Sequence, residues 1–131
     1  MRDPIDLDTL LGDPLPHRRL PVTASASWAV KLVDGYLTCP QCDFDHIHHC
    51  DVTVYAGGED AKQRTVISIK DAGDQSLLPP TAWMEQREAP DNPSPRRGAV
   101  VTAYWCEGCH GRFHLVQAQH KGRTEMLWEA A

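Results

Sequence analysis

The sequence contains no long hydrophobic run, few aromatic residues and no helical repeat of apolar positions. Aromatic residues make up 7% of the 131 positions. No apolar stretch approaches the length of a membrane span, and the first residues lack the hydrophobic core of a secretion signal. We therefore expect a soluble protein that acts in the cytoplasm.

The ten prolines are unevenly distributed. They concentrate near the N-terminus and between residues 79 and 95, which predicts two segments poor in helix and sheet. The chain length predicts one domain with a modest core. We expect an N-terminal arm over residues 1–27 and a β domain over residues 28–131 that contains a proline-rich loop at 71–98. The arm is either a partly disordered leader or a segment that docks through its leucines.

Short segments that alternate apolar and polar residues predict strands, because successive side chains of a strand face opposite sides of a sheet. Asp34-Gly35 predicts a turn between two strands, and residues 120–123 predict the turn of a C-terminal hairpin. The predicted fold is mainly β with an antiparallel sheet, and a small α+β fold is the alternative. The predicted strands cover residues 28–37 (around that turn), 46–55, 64–70, 99–105, 113–119 and 124–129.

Two Cys-x-x-Cys pairs are the strongest chemical signal: Cys39 with Cys42, and Cys106 with Cys109. This spacing places two thiolates on one tight turn, here called a knuckle. Two knuckles supply the four sulfurs of a tetrahedral zinc site. The sequence therefore predicts a zinc ribbon with a long insertion. A coincidence of spacing, two disulfides or a redox motif are the alternatives. The fifth cysteine, Cys50, is predicted to be a small packing residue.

Four thiolates would fill the coordination sphere of zinc, which predicts a structural site. A catalytic site would need a histidine in place of one cysteine and an open position for water. On a strand, two histidines near the first knuckle share a face that could bind a second metal or a ligand, and the more ordinary interpretation is a pair of half-buried polar side chains. Four histidines near the knuckles keep the catalytic alternative open. They are His46, His48, His49 and His110.

Basic residues gather late in the chain although the formal net charge is −5. That net charge argues against a nucleic-acid binder held by overall charge, but it leaves room for a local basic face. Arg96 and Arg97 lie between prolines and a glycine, a setting that suits phosphate or carboxylate recognition. The ordinary alternative is a set of solvated strand ends. The candidate ligand-binding residues are Arg96, Arg97, Arg112, Lys121 and Arg123.

Several short motifs, taken in order, resemble a family of small zinc-ribbon proteins encoded by actinobacterial phages and prophages. The resemblance covers residues 36–129, and two features depart from it: Asp43 follows the first knuckle where glycine is usual, and a long leader precedes Trp28. It implies zinc and action in a bacterial cytoplasm during infection. The motifs are Cys39-Pro40-Gln41-Cys42, His48-His49, Asn92-Pro93-Ser94, Arg96-Arg97-Gly98, Trp105-Cys106-Glu107-Gly108-Cys109, Gln119-His120-Lys121-Gly122 and Trp128.

These observations lead to three functional hypotheses. The first is a non-enzymatic, zinc-stabilised binding module for a host or viral protein. The second is binding of nucleic acid or nucleotide through the basic face, and the third is a zinc hydrolase. No phosphate-cradling glycine loop, catalytic triad or paired acidic motif supports catalysis.

Overall fold

The computed structural model describes residues 27–70 and 79–131 and contains nine β-strands. No helix occurs in these two ranges, which confirms the mainly β prediction. In particular, no helix there has the length and apolar character needed to cross a membrane. The strands are β1 (Ser27–Ala29), β2 (Leu32–Val33), β3 (Tyr36–Leu37), β4 (Ile47–Ala56), β5 (Arg64–Lys70), β6 (Thr81–Arg87), β7 (Ala99–Cys106), β8 (Arg112–His120) and β9 (Arg123–Ala130).

Seven of the strands form one antiparallel sheet, in the order β1-β9-β8-β7-β4-β5-β6. Strands β4 to β6 and β7 to β9 are two meanders of sequential neighbours, and the pairing of β4 with β7 joins them. That pairing shifts register between His49 and Val52, where β4 has an irregularity of the kind that bends a strand. Strands β2 and β3 form a separate two-stranded sheet.

Two tight turns occur where the sequence predicts them. Asp34 and Gly35 join β2 to β3, and Lys121 and Gly122 join β8 to β9. All four residues have positive φ, between 48° and 85°. Two consecutive residues with positive φ match the twist of an antiparallel hairpin, and glycine adopts this conformation without steric cost.

The main sheet buries apolar side chains on both faces. Leu115 and Val116 are consecutive in β8 and therefore point to opposite faces. Leu115 packs with Phe113, Trp128 and three of the knuckle cysteines, whereas Val116 packs with Tyr55, Val66, Ala99 and Ala118. The metal-ligand candidates thus belong to the core of one face, and Ala89, in the segment that precedes β7, packs against the core of the other.

Two predictions about the chain's organisation differ from the structure. The predicted loop 71–98 contains strand β6, which pairs with β5 over seven residues. The predicted strand before Asp34 is divided into β1 and β2, because β1 pairs with β9 and β2 pairs with β3. Apart from Ser27, the predicted arm 1–27 lies outside the described residues.

Candidate metal centre

The two cysteine pairs come together although most of the main sheet separates them in sequence. The sulfur atoms of Cys39 and Cys109 lie 3.7 Å apart, and those of Cys42 and Cys106 lie 3.6 Å apart. All four sulfurs lie within 4.8 Å of one another. The sequence-based prediction that the two knuckles converge on one site is confirmed, and this cluster could hold a metal ion.

The two knuckles have the same backbone hydrogen bonds. In the first knuckle the Asp43 N–H donates to the Cys39 carbonyl at 2.9 Å, and in the second the His110 N–H donates to the Cys106 carbonyl at 2.9 Å. Each first cysteine in turn donates its N–H to the carbonyl five residues later, that of Phe44 or Gly111. The local sequence therefore folds each pair into the same turn, with both thiols on one side.

Backbone N–H groups also point at the sulfur atoms. Gln41 donates to Cys39 Sγ at 3.3 Å, Gly108 donates to Cys106 Sγ at 3.3 Å, and Gly111 donates to Cys109 Sγ at 3.4 Å. A donor aimed at a sulfur stabilises the thiolate form and fixes its direction, as outer partners do in metal sites. The turns thus orient the sulfur atoms and offset part of the cost of charging them.

Burial works against the charged form at two of the buried cysteines. It raises the pKa of the Cys39 thiol far above its ordinary value and raises the pKa of Cys109 to about 11. At Cys42, which is exposed, desolvation is outweighed by hydrogen bonds from the Phe44 N–H and from Cys106, so its pKa is lowered. Buried thiols whose charge is costly alone favour a cation, which offsets that cost.

The cluster has the size of a tetrahedral thiolate site. An ion bound to four thiolates at about 2.3 Å places neighbouring sulfurs about 3.8 Å apart. The closest sulfur contacts here, 3.6 and 3.7 Å, agree with that edge length. Four sulfur ligands at this spacing complete the coordination sphere and leave no open position for a water molecule or a substrate.

The histidines near the knuckles have other contacts. His48 Nε2 hydrogen-bonds the Glu107 carboxylate, and its ring stacks on Trp105 with centroids 4.7 Å apart. His46 hydrogen-bonds Asp45 at 2.7 Å. Among the described residues, the one group of three or more potential metal ligands is the cysteine set, and His110 is outside it. Cys50 Sγ lies 3.5 Å from the Ala103 carbonyl and is likewise separate from the cluster.

The five basic residues predicted as a ligand-binding face are divided between two ends of the sheet. Arg112 pairs with Trp105 next to the second knuckle. The segment with Arg96 and Arg97 meets the β8–β9 turn, since Ser94 Oγ donates to the Gln119 carbonyl and the Gln119 N–H donates to the Gly98 carbonyl. Lys121 and Arg123 are exposed at that turn.

Arg96 and Arg97 are engaged by carboxylates that the sequence analysis did not single out. Arg96 Nε lies 2.7 Å from Asp60, and Arg97 Nη2 lies 2.6 Å from Glu59, which also contacts Arg96 at 3.1 Å. The Glu-Asp pair follows Gly57-Gly58 in the turn between β4 and β5, and acidic residues in a turn carry no signal for so distant a partner. Much of the charge expected to attract an anion is therefore neutralised within the protein.

A cleft of about 520 Å³ opens on the face opposite the cysteines. On its wall the Tyr55 hydroxyl donates to Asp91 at 2.7 Å, and Arg87 holds the same carboxylate through two bonds of 2.9 and 3.1 Å. This pairing holds the pKa of Asp91 at about 2, with Arg87 as its largest cause. Lys70, also in the cleft, lies 3.2 Å from Asp51, so both cations there have carboxylate partners.

No protein-family model, no curated protein and no solved structure matches this chain.

Proposed function

We propose that this chain is a non-enzymatic binding module, stabilised by one zinc ion, that binds a protein partner. The observation that carries the proposal is the junction of a closed four-cysteine cluster with an exposed apolar hairpin. The zinc ion would bind Cys39, Cys42, Cys106 and Cys109. Tetrahedral sites of four sulfurs suit zinc or iron, and zinc is favoured because closed sites of four cysteines are its usual structural form.

The hairpin formed by β2 and β3 supports the protein-binding part of the proposal. Leu32, Val33 and Tyr36 are 62%, 47% and 67% exposed, an unusual concentration of large apolar surface on so short an element. Tyrosine is also enriched at protein interfaces, where its ring gives contact area and its hydroxyl gives a hydrogen bond. A two-stranded hairpin is marginal alone, so its attachment to the metal site matters.

The knuckle holds this hairpin in place. Leu37 packs against the core cluster that contains Cys39, and Thr38 and Cys39 are buried directly after β3. An ion that fixes Cys39 would thereby fix the base of the hairpin and present its exposed side chains in one orientation. A preorganised apolar surface binds with a smaller entropic cost than a mobile one.

The resemblance to phage zinc-ribbon proteins indicates where the partner would be found. We propose a host or viral protein in the bacterial cytoplasm, where thiol ligands stay reduced. The nucleic-acid hypothesis is not developed as a second function, since two of its five residues are paired with carboxylates and a third lies at the other end of the sheet.

The test compares capture of proteins from an actinobacterial lysate, with and without phage infection, by three immobilised zinc-loaded proteins. They are the wild type, the double variant Leu32→Ser/Tyr36→Ser, and Met126→Ser as a matched control. Met126 is 44% exposed on β9 and is not part of the hairpin. We expect one protein to be retained by the wild type and the control and lost from the hairpin variant. Equal retention by all three would contradict the proposed surface.

A further inference from the structure

Strand β6 is the outer edge of the seven-stranded sheet. Its seven residues pair with β5 in continuous register, from Arg64 with Arg87 to Lys70 with Thr81. Within residues 27–70 and 79–131, no strand lies on its other side. The opposite edge of the sheet is β1, which has only three residues. The β1 edge is thus short, as protected edges are. The β6 edge is long and presents a full row of backbone donors and acceptors.

The sequence of β6 carries few of the devices that prevent edge pairing. Natural edges are protected by proline, lysine or a bulge. Between Thr81 and Arg87 there is no proline or lysine, and its register with β5 is unbroken. Trp83 and Met84, consecutive and therefore on opposite faces, are 46% and 68% exposed. The two charged residues of β6, Glu85 and Arg87, lie 3.4 Å apart, and Arg87 also pairs with Asp91, so these charges are largely compensated within the chain.

The register of a self-paired β6 can be deduced from its residues. Antiparallel pairing centred on Met84 matches all seven residues, with Met84 opposite its own copy and Glu85 opposite Trp83. Centring on Glu85 would place two carboxylates directly opposite each other, which is destabilising. Centring on Trp83 would bring Pro79 and Pro80 into the ladder, where proline cannot donate a hydrogen bond. The Met84 register avoids both costs.

We propose that two copies of this chain associate through β6, in antiparallel register centred on Met84, so that their sheets become one continuous sheet. The occupant of the edge is a second copy because in that register all seven residues find a partner, with no like charges directly opposite each other and no proline in the ladder. Edge pairing of seven residues buries less surface than the roughly 1,200 Å² of a small stable interface. The dimer is therefore weak and depends on concentration. This inference does not rest on the hairpin, which lies elsewhere in the chain.

Sedimentation equilibrium of the full zinc-loaded chain over a wide concentration range tests the association. We expect a reversible monomer–dimer equilibrium in the wild type. Met84→Lys should raise the dissociation constant by more than about tenfold, because two like charges then meet at the centre of the interface. Met126→Lys is the matched control and should leave the constant unchanged. Met84 and Met126 are both exposed, so both variants should fold, which thermal unfolding checks.

Cysteine crosslinking tests the register. Met84→Cys should form an intermolecular disulfide on mild oxidation, since residues directly opposite lie within disulfide reach. Gln86→Cys, on the same face, opposes Ala82 of the second copy and should crosslink far more slowly. A wild type that stays monomeric at every concentration would overturn the proposal and leave the edge to another segment or another protein. Equal dissociation by both lysine variants, or equal crosslinking by both cysteine variants, would also overturn it.

Discussion

Asp43 and His110 occupy equivalent positions in the two Cys-x-x-Cys turns. Each follows the second cysteine of its pair, and each has a left-handed backbone, with φ of 67° and 61°. Glycine is the residue that adopts this conformation without cost, and aspartate and histidine are among the few others that tolerate it. The departure from the usual glycine at position 43 therefore leaves the turn intact.

This backbone conformation predicts unequal effects on stability for two substitutions of Asp43. Asp43→Val should destabilise the metal-loaded protein by about 1–2 kcal/mol, since a β-branched side chain crowds the backbone at positive φ. Asp43→Gly should be nearly neutral, because the exposed ion pair with Lys31 contributes little. Thermal or urea unfolding measures both. Equal stability of the two variants would mean that position 43 does not constrain the turn.

Metal analysis tests the four-cysteine site directly. We expect one zinc ion per chain in the wild type and in Cys50→Ser, because Cys50 lies outside the cluster. Cys39→Ser should lose the ion and much of the folded structure, since assembly of a metal site and folding share one free energy. A chelator should lower the unfolding temperature of the wild type towards that of Cys39→Ser. Substoichiometric metal, or iron in place of zinc, would contradict the zinc assignment.

Gly98 packs closely against the backbone of Tyr55, which leaves no room for a side chain. A Cβ atom at this position would lie 2.7 Å from the backbone oxygen of Tyr55, closer than carbon and oxygen can approach. Gly98→Ala should therefore cost about 1–3 kcal/mol of stability, the usual range for overpacking. Gly58→Ala is the control, because a Cβ there meets nothing within 4 Å. If both variants unfold at the wild-type temperature, the segment before β7 moves aside easily.

The Asp91 carboxylate gives the protein a stability term that depends on pH. Its pKa is lowered from 3.8 to about 2, chiefly by Arg87, so it binds protons more weakly in the folded chain than in the unfolded chain. The stabilisation is complete above pH 3.8 and is lost as pH falls towards 2. The carboxylate is half exposed, which limits the effect to about 1 kcal/mol.

Urea unfolding across this pH range measures the effect of Asp91. The variant Asp91→Asn should be less stable than the wild type at neutral pH, and the two curves should converge as pH falls to about 2. A constant difference at all pH values would show that the side chain acts through shape alone.

The ion pairs at Glu59 and Asp60 make the basic-face hypothesis testable in both directions. If Arg96 and Arg97 bind anions, Glu59→Gln/Asp60→Asn should release them and strengthen binding of single-stranded DNA or nucleotide at low salt. Arg96→Ala/Arg97→Ala should weaken that binding, and added salt should weaken it in every protein. Fluorescence anisotropy follows all three proteins. Absence of binding by all of them at low salt would exclude the hypothesis.

Strand β6 was not predicted from the sequence, whereas its neighbour β5 was. Strand β5 was predicted with its observed bounds, because alternating β-branched residues mark a strand with one face buried. Strand β6 lacks that signal. Six of its seven residues are exposed, so neither face selects apolar residues, and prolines precede it closely. It is a strand because β5 offers a partner, which is a tertiary effect that no local pattern contains.

In the candidate site, too, some features follow from the sequence and others do not. A Cys-x-x-Cys spacing favours a tight turn, and four cysteines in two such turns commonly bind one metal ion. The cysteine cluster could therefore be predicted from the sequence. The partners of Arg96 and His48 lie 36 and 59 residues away in the chain, and only the sheet brings them together. Ion pairs over such separations follow from topology and have no signature of their own in the sequence.

The order of the strands also determines when the metal site can exist during synthesis. Each meander is built from neighbours in sequence, whereas Cys39 and Cys109 are 70 residues apart. Local contacts form early, and contacts across a long loop form only after its closure entropy has been met. A growing chain displays the first knuckle, with only two sulfurs, while most of the sheet is still unmade. An ion that needs all four sulfurs would therefore bind late, after the chain through Cys109 has been made, and would fasten the long segment between the two turns.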